Sequence, residues 1–379
     1  MLKKIVIINQ VCGYMFIDIA NAYIEKYDEV ILMAGNAQPY KSLLDKRVKI
    51  VPIYPYKKEN VRSRFFSWVI ATLQVYFKLF FSYRKYDVLI SSNPPVAAIL
   101  PAFLSNKCTL LIYDIYPDGL VVTNFVTDKN IIVKGWSFLN RKAYKKANAI
   151  ITLTNGMMNI LEKYTDRNKI HVVPAWAINA QLLQKKEDEN LFIKKYNLQG
   201  KFIVMYAGNI GKEYHLQPLV EVATLLENYT DISIVIVGEG WNKPILKLMI
   251  EENNLPNCLL LPFQSNELFA DSLISFQVGV VALAGTVNNV AIPSKTYNLL
   301  AAQKPILCIG GQDTELANFV NHHQIGKAIE AAKPEAMKDF ILKLYNDKVY
   351  FESLCSNCKT ILPEYTKDNA KKIVQLSSD

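Results

Sequence analysis

A chain of 379 residues is long for one ordinary core and suits two domains of typical size. Apolar residues make up 51% and charged residues 20%, with no Gly/Ser tract, acidic tail or repeat period, which excludes a disordered or fibrous chain. Lys and Arg exceed Asp and Glu by 43 to 34, a net +9 that suits an anionic partner. The basic residues are spread along the chain, with no zinc-finger spacing, RNP-like segment or Arg-rich arm, so nucleic acid is not the expected partner. Phosphate-bearing small molecules and acidic membrane surfaces remain.

The opening "MLKKIVIINQVCGYMFIDIA" imitates a secretory leader, but Asn9, Gln10 and Asp18 interrupt its apolar run and no small-residue cleavage site follows. It reads as a buried strand leading into a helix. Further β-branched runs follow at the spacing of βα units around a parallel sheet: "EVILMA", "RVKIVPI", "DVLISS", "TLLIYD", "AIITLT" and "IHVVPA". Among them lies "RSRFFSWVIATLQVYFKLFFSYRKYD", Arg62 to Asp87, with Arg62, Arg64, Arg84 and Lys85 flanking a long aromatic and aliphatic run. A mostly buried helix is the expectation, and a helix dipping into an anionic bilayer is the alternative. No stretch reaches the roughly 18 uninterrupted apolar residues of a spanning helix.

The polar segment "AINAQLLQKKEDENLFIKKYNLQG" near residues 178 to 200 reads as a linker, after which the theme restarts with "KFIVMYAG", "ISIVIVGEG", "NCLLLPF", "VGVVALA" and "PILCIGG". The expected organisation is α/β, with two doubly wound Rossmann-like domains at 1–180 and 181–360, a cleft between them, and a C-terminal helix at 361–379. In such sheets ligands sit beyond the carboxyl ends of the strands. Six cysteines mostly occupy apolar runs, as small buried hydrophobes do. Cys355 and Cys358 form a lone CxxC with no second pair, which points to two thiols on a helix and not to zinc or redox chemistry.

Three stretches after strands carry the chemistry. In "VAIPSKTYNLLAAQKPILCIGG", Ser294 stands where an N-cap belongs and Lys295 opens the helix, so free backbone N–H groups, the helix dipole and a full charge would favour an anion. An ordinary capped helix with an exposed lysine is the other reading. In "MYAGNIGKEYHLQPLV", Gly208 and Gly211 flank Asn209 and Ile210, letting backbone approach a phosphate, with Lys212 beside them; a plain turn is the alternative. His215 reads as a helix-start residue. "VIVGEGW", with Gly238, Glu239, Gly240 and Trp241, makes a tight turn that suits a base or ribose edge, or only joins strand to helix. Together they suit a diphosphate linked to a nucleoside. No GxGxxG follows the first strand, where Gly13 stands alone, and GxxxxGK[ST], HExxH, GxSxG and DxD are absent. Neither a dinucleotide dehydrogenase, a P-loop enzyme nor a metal-dependent mechanism is suggested.

The order "YAGNIG", "VIVGEG", "NELFADS" and "IPSKTYNLLAAQKPIL" resembles the nucleotide-binding half of family-4 glycosyltransferases of the GT-B fold. The branch is the one that builds O-antigen, capsule and other surface polysaccharides. The N-terminal half matches more loosely, through "LLIYDIYPDGL", "AYKKANAIITLTNGMMNIL" and "IHVVPAWA". The resemblance implies a retaining hexosyltransferase with no cofactor and no essential metal. It would move a sugar from a nucleoside diphosphate, UDP by expectation, to a lipid-diphosphate-linked saccharide. Lys295 and Lys212 would neutralise the leaving diphosphate, and the backbone from Gly208 to Gly211 would cradle it. Gly238 to Trp241 would face the base, and Tyr297 and Asn298 the ribose. Asp114, in "YDIYPDG", would orient or deprotonate the acceptor hydroxyl, with Asp118 a second choice and Gly13 on the acceptor side. A capping role is the alternative for Asp114.

The family commonly carries Glu-x7-Glu where this chain has Val290 and Asn298. Asn298 can still bond a hydroxyl and Val290 cannot, which leaves Asn288 or Asn289 to substitute. The rival readings are a nucleotide-sugar epimerase of the same fold and a non-catalytic subunit that binds a partner enzyme. The expected location is cytoplasmic, with peripheral attachment to the inner face of the membrane if the aromatic helix meets lipid.

Overall fold

Runs rich in Val, Ile and Leu, apolar on both faces, pair in parallel throughout the computed structural model, which describes residues 2–36, 38–122, 126–178, 190–212, 214–283 and 290–378. The chain divides into two compact units, Met1–Ala175 with Lys367–Asp379, and Trp176–Thr366.

The first unit holds β1 (Lys4–Ile8), β2 (Glu29–Ala34), β3 (Val48–Pro52), β4 (Asp87–Ser91), β5 (Cys108–Ile112), β6 (Ala149–Thr152) and β7 (Ile170–Val172). Their order is β3-β2-β1-β4-β5-β6-β7. The winding reverses between β1 and β4, the switch point at which such sheets open a crevice. Val6, Ile7, Leu89, Ile90, Leu110 and Leu111 are fully enclosed. The last helix, Asn369–Ser378, packs on the first, Tyr14–Tyr23, so the C-terminus completes this unit.

The second unit holds β8 (Phe202–Ala207), β9 (Ile232–Val237), β10 (Cys258–Leu261), β11 (Val278–Ala282), β12 (Ile306–Ile309) and β13 (Gly326–Ile329), in the order β10-β9-β8-β11-β12-β13. Its switch point lies between β8 and β11. The edge strand β13, "GKAI", has little β-branched character and no strand is predicted for it. A Cβ on Gly326 would stand 1.8 Å from the Ile306 carbonyl oxygen, so glycine allows this strand to approach.

The helix Val61–Phe81 is capped by Asn60, whose side chain accepts from the Ser63 amide at 2.8 Å. It is not mostly buried. Its inner face is Ser67, Ala71, Thr72, Val75 and Leu79, while Phe66, Ile70, Leu73 and Phe77 stand exposed. Among the described residues no helix is long and apolar enough to cross a membrane. All six cysteines are free, and Cys358 is buried against the Lys304 carbonyl on the helix Lys348–Ile361.

Candidate donor-binding site

The second unit gathers its polar chemistry at the carboxyl ends of β8, β9 and β10. A pocket there is lined by Ala207, Gly208, Val237, Gln264, Lys295 and Asn298, among others. Lys295 begins the helix Lys295–Ala301, and its Nζ donates to the Tyr206 hydroxyl at 2.9 Å. The ammonium also lies 4.1 Å from the Tyr206 ring centre and 5.2 Å from that of Tyr214. Burial pushes Lys295 down to about 8. The amine is therefore poised to gain from an anion.

Glycine at 208 allows this placement, because a Cβ there would stand 2.9 Å from Lys295 Nζ. Tyr206 also donates its hydroxyl proton to the Asn209 carbonyl at 2.7 Å, so one phenol holds both the ammonium and the glycine loop. Loop and turn are sewn together through backbone: Gly208 donates to Val237 at 2.9 Å, Ile210 to Glu239 at 2.8 Å, and Asn242 to Ile210 at 3.0 Å. The Asn242 side chain adds a bond to the Gly211 carbonyl at 2.9 Å. A Cβ on Gly238 would lie 1.9 Å from the Gly208 carbonyl oxygen, and one on Gly240 would lie 2.2 Å from that of Ile210.

Several expectations change. Within the loop 208–211 the amides of Asn209 and Gly211 have no acceptor among the described residues, so the cradle is narrower than the four-residue loop suggests. The turn from Gly238 to Trp241 buttresses that loop; Glu239 pairs with Lys243 at 2.6 Å and Trp241 is 73% exposed. Ser294 is itself helical and its side chain caps nothing; the first turn closes through Thr296 N–H to the Pro293 carbonyl and Tyr297 N–H to that of Ser294. Tyr297, expected beside the ribose, does not line the pocket. Its ring is buried, stacked on Tyr365 at 5.6 Å. Asn298 does line the pocket, with its Oδ1 accepting from the Ile178 amide at 3.0 Å. Lys212 is exposed and does not line it. Asn288 and Asn289 lie outside the described residues.

Tyr206, Tyr214 and Gln264 carry no expectation. Gln264, three residues past β10, accepts from the Tyr196 hydroxyl at 3.1 Å, and its place just after a strand is a signal that could have found it.

In the first unit Gly13 and Asp114 stand beyond the carboxyl ends of β1 and β5, joined through the Phe16–Tyr113 ring contact at 5.6 Å. Gly13 precedes the helix Tyr14–Tyr23, and a Cβ there would meet nothing within 4 Å. The Asp114 amide donates to Ser92 Oγ at 3.1 Å, and its carboxylate, whose pKa is raised by desolvation, has no hydrogen-bond or ion-pair partner among the described residues. It caps no helix. Asp118, by contrast, is engaged: it accepts from the Tyr164 hydroxyl at 2.6 Å and pairs with Lys163.

Residues 188–372 match the model of the family described as glycosyl transferases group 1. That segment, just under half of the chain, is a group 1 glycosyltransferase domain, and the two doubly wound units are those of the GT-B fold. The chain is similar to the probable glycosyltransferase WbjE of Pseudomonas aeruginosa, 23% identical over 294 residues that cover 75% of this chain and 72% of that one. It is also similar to the putative colanic acid biosynthesis glycosyl transferase WcaI of Escherichia coli, 27% identical over 183 residues, 47% of this chain and 44% of WcaI. Among solved structures, HepE of Anabaena in complex with UDP superposes with a TM-score of 0.74 at 13% identity, covering 99% of this chain and 100% of HepE. WaaG, a glycosyltransferase involved in lipopolysaccharide biosynthesis, superposes at 0.71 and 11% identity, with 99% of each chain covered.

Proposed function

We propose that this glycosyltransferase moves a hexosyl group, with retention and without an essential metal, from a UDP-sugar to a lipid-diphosphate-linked saccharide during assembly of a cell-surface polysaccharide such as capsule or O-antigen. The observation that carries the reading is Lys295, a partly buried ammonium beside a glycine loop with free amides at Asn209 and Gly211. The relatives support it: HepE is solved with UDP and with UDP-glucose, WcaI is named for colanic acid biosynthesis and WaaG for lipopolysaccharide biosynthesis. As the anomeric C–O bond breaks, its electron pair stays on the diphosphate oxygen, where Lys295 and the loop amides meet the growing charge. The acceptor oxygen bonds to the anomeric carbon on the face the diphosphate leaves, its proton passes to the departing diphosphate oxygen, and Asp114 is the group that orients the hydroxyl. Such an acceptor implies work at the cytoplasmic face of a membrane.

A thermal-shift screen of nucleotides and nucleotide sugars tests the donor, since a selective ligand stabilises by mass action. Stabilisation by UDP and a UDP-sugar is expected, and no response to any nucleotide would overturn the reading. A non-catalytic subunit is the second reading, favoured by the apolar Val290 and by Asn298 spending its oxygen on Ile178. Sugar transfer by the purified chain excludes it, and also excludes an epimerase, which needs no acceptor.

A further inference from the structure

The helix Val61–Phe81 sorts its side chains onto two opposite faces. Ser67, Ala71, Val75 and Leu79 point inward, small enough for the helix to lie close on the segment Pro95–Ala102. On the other side Phe66, Ile70, Leu73, Phe77 and Phe80 recur every three or four positions and are exposed, Phe66 at 61% and Phe77 at 52%. Water meets a stripe of large apolar side chains about 20 Å long. The helix contains no Asp or Glu. Exposed Arg62 stands at one end of the stripe, and exposed Arg84 and Lys85 lie just past the other, with the Arg84 guanidinium 6.0 Å from the Phe80 ring centre.

The neighbouring helix Ile131–Lys146 packs on the same segment, Pro95–Ala102, and so lies on the same side of the sheet. It exposes Ile131, Ile132 and Phe138 alongside Lys134, Arg141 and Lys142. Trp68, Tyr116 and Trp136, with ring centres 5.9 and 5.8 Å apart, tie the two helices together.

We propose that this face docks on an anionic bilayer, the phenylalanine stripe entering the acyl boundary while Arg62, Arg84, Lys85 and Lys142 meet lipid phosphates. Charge decides between this occupant and a second copy of the chain. Antiparallel pairing of two stripes would bring Arg62 of each against Arg84 and Lys85 of the other, like charges that outnumber the single exposed acid at that end, Glu59, whereas an anionic surface complements both ends at once. The proposal uses no residue of the donor site and stands apart from it.

Co-sedimentation of the full chain with phosphatidylglycerol/phosphatidylethanolamine vesicles, and with phosphatidylcholine vesicles, tests it at low salt and at about 0.5 M salt. Binding about tenfold stronger to the anionic vesicles is expected, weakening as salt rises. Phe66→Ser with Phe77→Ser should cut binding about tenfold and leave the melting temperature unchanged, because both rings already face water. Arg62→Glu with Arg84→Glu should erase the preference for anionic over neutral vesicles. A parent that ignores anionic vesicles at low salt, or arginine variants that keep the preference, would overturn the proposal. So would a parent that is dimeric by light scattering, becomes monomeric on the phenylalanine substitutions and never sediments with lipid. UDP uptake by every variant should match the parent's; sedimentation with lipid but no nucleotide uptake would sink the donor reading alone.

Discussion

Lys295 Nζ lies 2.9 Å from the Tyr206 hydroxyl and 4.1 Å from the centre of the same ring, so a single side chain offers the ammonium both a hydrogen-bond acceptor and a π face. That partnership keeps a partly buried cation in place before any anion arrives.

Burial lowers Lys295 to about 8, so its charge is present below that pH and lost as pH rises through it. UDP affinity, measured by calorimetry across the range, should therefore hold at lower pH and weaken above about 8. Lys295→Arg should flatten that decline. Lys295→Ala should lower kcat/KM by about 2 to 4 kcal/mol, roughly thirtyfold to a thousandfold. A lysine-free variant that turns over like the parent would remove this residue from the chemistry.

Tyr206→Phe keeps the ring and deletes the hydroxyl that Lys295 and the Asn209 carbonyl share. A loss of about 1 to 2 kcal/mol in kcat/KM is expected, with the decline in UDP affinity moving to lower pH as the charged amine loses an acceptor. A fall in activity with an unmoved pH profile would make Tyr206 merely structural.

Much of this arrangement is legible without coordinates. Strands buried on both faces announce themselves as β-branched runs, and the glycines after β8 and β9 mark where backbone must come close. Tyr206 is not legible, because a tyrosine inside "FIVMYA" looks like core until its hydroxyl meets a lysine 89 positions away. Lys212 and Lys295 look alike in sequence, and only packing separates an exposed side chain from one held over two rings. The helix Val61–Phe81 is apolar all round, so periodicity does not choose its inner face. Side-chain volume does: Ser67 and Ala71 allow close contact where Phe66 and Phe77 cannot.

The glycines make a paired prediction. Gly238→Ala drives a methyl against the Gly208 carbonyl and should cost about 1 to 3 kcal/mol together with UDP binding, since the two loops must part. Gly13→Ala meets open space and should leave the melting temperature unchanged. Equal melting curves for the two variants would contradict the backbone contact.

If Lys295 and amide dipoles supply the charge at the leaving group, turnover should survive EDTA. Activity abolished by chelation and restored by a divalent ion would show that Lys295 alone does not neutralise the diphosphate.

Asp114 and Asp118 stand four residues apart and should behave in opposite ways. Asp118 is held by the Tyr164 hydroxyl at 2.6 Å and by Lys163, so Asp118→Ala leaves a donor and a cation without their acceptor and should destabilise the first unit by about 1 to 3 kcal/mol. The Asp114 carboxylate holds nothing among the described residues and its charge is penalised by desolvation, so Asp114→Asn should not lower the melting temperature. If Asp114 orients the acceptor hydroxyl, that variant should still take up UDP, because the pocket proposed for the donor belongs to the other unit, yet transfer sugar about a hundredfold more slowly. Melting curves, UDP titration and transfer assays on the two variants check each part. An Asp114→Asn enzyme with parental transfer rates would take the acceptor role away from Asp114.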